Sequence, residues 1–71
     1  MRKIIIFESV HYTIKADKVL KGKGFEYQII TTPREISTDC GMSIETDLDN
    51  FKEIYKHLEE NGLNMRVYNV E

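Results

Sequence analysis

The run Lys3-Ile4-Ile5-Ile6-Phe7-Glu8 limits this chain more than any other segment. Successive side chains of an extended strand point to opposite faces, so four consecutive apolar residues make both faces of the strand apolar. Such a strand needs cover on both sides or a central place in its sheet. The chain has 71 residues, and a chain of that size buries only about 60% of the surface its unfolded form exposes. The expectation is one domain spanning residues 1–71, with a thin core built around this first strand, β1, over Lys3 to Glu8.

The remaining periodicities fall in a definite order. Ser9 offers an N-cap, and Tyr12, Ala16, Val19 and Leu20 fall on one helical face before the Gly22-Lys23-Gly24 stop, predicting a helix, α1, over about His11 to Lys21. Phe25, Tyr27 and Ile29 alternate with Glu26 and Gln28, predicting β2 from Phe25 to Thr31, and Pro33 ends it. Met42, Ile44 and Thr46 alternate with Ser43 and Glu45 in a short β3. Asp47 or Asp49 then caps α2, in which Phe51, Ile54, Tyr55 and Leu58 keep the i, i+3, i+4, i+7 spacing up to Asn61-Gly62. Met65, Val67 and Asn69 alternate with Arg66, Tyr68 and Val70 in β4. The compact arrangement for a β-α-β-β-α-β order is an α+β, ferredoxin-like sandwich. Its four-stranded antiparallel sheet has the order 4-1-3-2, with both helices on one face.

Composition excludes several classes of function. Ten Lys+Arg stand against twelve Asp+Glu, giving a net charge of −2 with no basic block, so nucleic acid is not an expected partner. The longest wholly apolar run, Ile4 to Phe7, is far short of the roughly 18 residues of a membrane helix. Glu8 breaks that run and no small-residue cleavage site follows, so no secretory leader is expected and the cytoplasm is the expected compartment. One cysteine and two dispersed histidines lack the ligand spacing of a zinc site, so no metal is assigned. Gly22-Lys23-Gly24 ends a helix where a dinucleotide loop would begin one, and no P-loop or G-x-S-x-G pattern occurs. No cofactor is expected. With one thiol and little room for a deep pocket, an autonomous enzyme is not expected either.

The chemistry-bearing stretch is Thr32-Pro33-Arg34-Glu35-Ile36-Ser37-Thr38-Asp39-Cys40-Gly41. A lone thiol has no internal disulfide partner, a reducing cytosol keeps it free, and the glycine after it lets a ligand or a partner backbone approach. The plain alternative is a small buried hydrophobe, since free cysteine is among the most buried residue types. In the expected fold Cys40 shares a rim with Ser9, Val10, His11 and Tyr12 at the start of α1, whose positive end favours an anion such as a thiolate. Arg34 adds a positive charge, and Asp39 opposes ionisation of the thiol. His11 is either the base of a Cys/His pair or a solvated residue of the first helical turn; His57 reads as a surface residue. Pro33 shapes the loop, and Ser37 and Thr38 suit hydrogen bonds to its backbone. Cys40 is thus the candidate reactive residue, with Arg34, Ser37, Gly41 and His11 the candidate binding residues around it.

The strand KIIIFES, the following His11, Ile14-Lys15-Ala16 and Val19-Leu20 in the helix, and the T-P-R-x-[IL]-S-x-x-C-G pattern of the loop resemble a known family. It is the selenium/sulfur carrier-like family of small proteins, formerly a domain of unknown function, and the resemblance spans nearly the whole chain. It implies a persulfide or selenopersulfide held on Cys40, the one residue whose role carries over, and passed from a donor protein to an acceptor. Arg34 would then serve docking or charge stabilisation. The Cys-Pro-x-Pro motif of the TusA-type sulfur carriers is absent, so the likeness to those is one of task and size. The competing expectation is a non-catalytic protein- or small-ligand-binding module in which Cys40 is dispensable. A redox sensor that forms an intermolecular disulfide is a third. An exposed edge on β2 or β4 offers pairing with another copy of the chain.

Overall fold

The computed structural model describes residues 2–36 and 41–70. Along the chain run β1 (Arg2–Ile6), α1 (Val10–Leu20), β2 (Gln28–Thr31), β3 (Met42–Asp47), α2 (Leu48–Glu60) and β4 (Arg66–Val70). The strands form one antiparallel sheet in the order β2-β3-β1-β4. This is the expected βαββαβ arrangement, with the apolar first strand in an inner position.

The alternation along β1 explains both faces of the sheet. Ile5 and Phe7 point to the helix side, where they join Ile44, Ala16, Leu20, Ile54, Leu58 and Leu63 in the main core. Ile4 and Ile6 point the other way and are just as buried, at 2% and 1% exposed. No helix covers them. They are closed over by Ile30, Ile36, Tyr68 and Val70, so the demand of the KIIIF run for cover on both faces is met by neighbouring strands and by one loop residue. Arg2 and Glu45 add a charge pair, with Arg2 Nε 3.2 Å from Glu45 Oε1. The angle is unsuited to a hydrogen bond, so the pair acts through charge alone.

The helices differ in how they are held. α2 starts at Asp47, not Asp49: the Asp47 carboxylate accepts the Asn50 backbone N–H at 2.8 Å and the Asn50 amide at 3.0 Å. Those two bonds come first among the causes that hold the Asp47 carboxyl below its usual 3.8. Ser9 does occupy the N-cap of α1, yet its side chain makes no capping hydrogen bond. The buried face of α1 is Thr13, Ala16 and Leu20, while Tyr12 is 39% exposed. Thr13 replaces Tyr12 because its hydroxyl has acceptors on the inner side, donating to Met42 O at 3.0 Å and Ser9 O at 3.4 Å.

β2 is shorter than its alternation predicts. Phe25 and Tyr27 do pack against the main core, but residues 25–27 leave the ladder. Side chains take over the backbone groups of Glu26: Thr46 Oγ1 donates to Glu26 O at 2.8 Å, and Glu26 N donates to Asn50 Oδ1 at 3.5 Å. β1 likewise ends at Ile6, with Phe7 and Glu8 beyond it, and β4 starts at Arg66, one residue after Met65.

Tyr27 reports on this peeled segment. Its hydroxyl donates to Asp17 Oδ1 at 2.6 Å, and burial, followed by the bond and charge of Asp17, pushes its pKa from 10.0 up to about 12. The neutral phenol is favoured in the folded state, so its stabilisation is present below pH 10 and is lost as pH rises toward 12. In a spectroscopic titration one of the four tyrosines should ionise last, and Tyr27→Phe should remove that late step. If the late step survives the substitution, the assignment is wrong.

Candidate functional site

The rim of interest lies where β1 and β2 end, β3 and β4 begin, and α1 starts. Its central feature is the base of the loop between β2 and β3. Thr32 N donates to Gly41 O at 3.1 Å, extending the ladder one step past the Thr31–Met42 pair. Pro33 and Ile36 close a tight turn through Ile36 N donating to Pro33 O at 3.0 Å. Arg34 and Glu35 are exposed at its corner. Ile36 then packs back onto the Ile4/Ile6 cluster. The loop therefore starts against the helix-free face of the sheet and returns at Gly41.

A buried pair of hydroxyls sits under this base. Thr32 Oγ1 and Ser43 Oγ share a short hydrogen bond, with the two residues 5% and 0% exposed. The β3 alternation predicts a solvent-facing Ser43 on the same side as Glu45. Ser43 is enclosed because the helix-free face has its own cover, Ile36 among it. Ser43→Ala leaves the Thr32 hydroxyl buried without this partner and is expected to cost about 1–3 kcal/mol, whereas the double variant Thr32→Val/Ser43→Ala removes both polar groups and should recover most of that loss. Urea unfolding of the wild type, Ser43→Ala and the double variant checks this; a double variant no more stable than Ser43→Ala would refute it.

The expected site residues divide into three groups. Gly41 is at the loop base, and a Cβ added there would lie 4.0 Å from Val10 Cγ2 in the first turn of α1. Arg34 is exposed on the turn, and His11 is exposed on α1 with its ring edge-on to Tyr12 at 5.2 Å between centroids. Cys40, Ser37, Thr38 and Asp39 lie outside the described residues. The structure thus brings Gly41, Val10 and the α1 start together, and it keeps Arg34 on the outer corner of the turn. His57 is half-buried on α2, its ring 5.4 Å from that of Phe25 and its Nδ1 4.0 Å from Glu60 Oε1. Among the described residues no three His, Cys, Asp or Glu side chains cluster closely enough to hold a metal ion. No described helix is long and apolar enough to cross a membrane.

Thr32 and Ser43 are the residues that sequence reasoning passed over in favour of Ser37 and Thr38.

The Ser9 side chain does not occupy the first-turn amides, and α1 carries no acidic residue in its first turn. Comparison with known proteins adds one match. The model of a family described as "Putative Se/S carrier protein-like" matches residues 2–68. No curated protein and no solved structure matches the chain.

Proposed function

This chain belongs to the Se/S carrier protein-like family, and from that premise we propose that Cys40 is the residue on which the cargo travels. The observation that carries the proposal is the family match over residues 2–68, which takes in the one cysteine of the chain. The loop base supports it. Gly41, next to Cys40 in sequence, stands against the uncapped start of α1, where a thiolate or persulfide anion is favoured by a few tenths to about 1 kcal/mol at an exposed site. Arg34 in the same loop supplies a fixed positive charge for a donor or acceptor protein.

The loading step is an exchange that balances without an added oxidant. The Cys40 thiolate attacks the outer sulfur of a persulfide on the donor. A new S–S bond forms at Cys40, the donor's S–S bond breaks, and the donor leaves as a thiolate. Delivery is the same exchange with the carrier as donor, and a selenopersulfide follows the same course with selenium as the outer atom. The chain itself supplies no catalysis in this scheme beyond holding the reactive atom.

Incubation with a donor enzyme that carries a persulfide, followed by intact mass measurement, tests the proposal. The expected result is a gain of one sulfur, lost again on reduction. No gain, under conditions where an authentic carrier protein is loaded, would overturn it.

A further inference from the structure

We propose that the cleft between the end of β1 and the start of β4 binds a small zwitterionic amino acid, independently of the carrier reading. The ladder between these strands ends at the Ile6–Arg66 pair. Past it the strands part, leaving an open cleft of about 340 Å³ lined by Ile6, Phe7, Glu8, Asn64, Met65 and Arg66. That is at the small end of ligand sites, suited to a ligand with few atoms. A smaller depression of about 90 Å³ shares Glu8 and Asn64 with it and reaches Tyr12 and Gly62.

The charges in the cleft point to its ligand. Glu8 and Arg66 line the same space with opposite charge, yet no ion pair joins them, and Arg66 makes none with any described residue. Glu8 is steadied by the Asn64 amide, which donates to Glu8 Oε1 at 3.4 Å. A second cleft among the described residues, lined by Arg2, Glu26 and Asp47 among others, makes a useful contrast. There the arginine has Glu45 Oε1 at 3.2 Å, so its charge is already answered. At the β1–β4 cleft a cation and an anion line one space without pairing. A ligand that bridges them must carry a carboxylate for the Arg66 fork and an ammonium for Glu8 on one small frame, as an α-amino acid does. Half-buried Met65 leaves apolar surface for a short side chain. The terminus of a peptide would offer only one of the two charges.

The probes are L-alanine and L-serine, which have no thiol and so keep Cys40 chemistry out of the measurement. Titrated into the intact wild-type chain, they should give saturable NMR shift changes centred on residues 6–8 and 64–66. N-acetyl-L-alanine, which lacks the ammonium, and L-alaninamide, which lacks the carboxylate, should each bind roughly tenfold or more weakly, the scale of one lost charge-assisted hydrogen bond. Glu8→Gln should erase the preference for L-alanine over the acetylated probe, and Arg66→Gln the preference over the amide. Both side chains are exposed, so the variants should keep the wild-type spectrum elsewhere. Absence of saturable shifts with either amino acid, or equal binding of all four probes, would overturn the proposal, and neither outcome touches sulfur loading at Cys40.

Discussion

Replacing Cys40 by serine is expected to abolish sulfur loading outright, with no residual gain of mass where the wild-type chain gains one sulfur. The expectation is all-or-none because the exchange needs an ionisable, polarisable sulfur. A cysteine titrates near 8.5 and holds a persulfide through an S–S bond, whereas a serine hydroxyl is un-ionised at neutral pH and forms no such bond. Urea unfolding of the variant, run alongside, separates a silent chain from an unfolded one. Arg34→Gln should weaken transfer between proteins while leaving loading by a small persulfide donor intact, because Arg34 is exposed on the turn, where it can meet a partner. If instead Cys40→Ser keeps full function in cells, the loop is a binding surface and the chain is the non-catalytic module that is the alternative reading of its sequence.

The elements were legible to different depths, for physical reasons. α2 is an amphipathic helix whose apolar face is set by local spacing, and Ile54 and Leu58 are buried as that spacing requires. The central place of β1 followed from two-sided apolarity, a property of the strand itself. What could not be read was anything decided by a residue far away in sequence. Nothing in Gly41-Met42-Ser43 tells that Ile36 folds under the sheet, and so nothing told that Ser43 would be enclosed with Thr32 as its partner. The burial of Thr13 in place of Tyr12 has the same origin, since the Met42 carbonyl that receives the Thr13 hydroxyl lies 29 positions away.

The site was legible as a neighbourhood. The topology puts the end of β2, the start of β3 and the start of α1 on one rim, and Gly41 does stand beside Val10. The β1–β4 cleft on the same rim was invisible to motif reading. Glu8 and Asn64 are 56 positions apart, and only the antiparallel pairing of Ile6 with Arg66 brings them together.

The largest loss of stability is expected at Ile5. It is fully buried in the middle of the inner strand, pairs with Ile44 on one side and Val67 on the other, and faces the layer of Ala16, Leu20, Ile54 and Leu58. Removing three carbons there opens a cavity bounded by two helices and two strands, which cannot collapse cheaply, so Ile5→Ala should cost about 2–5 kcal/mol. A chain of this length holds a total of only about 4–10 kcal/mol, so the variant should lose about half of its stability. Ile6→Ala should fall toward the lower end of that range, because the half-buried cover of the helix-free face, Ile36 and Tyr68 among it, is freer to close over the gap. Ile29→Ala should change stability by no more than about 1 kcal/mol, since Ile29 is already 36% exposed on an edge strand. Urea midpoints for the three variants measure the ranking. An Ile29→Ala loss equal to that of Ile5→Ala would mean that the core does not lie where the two faces of β1 place it.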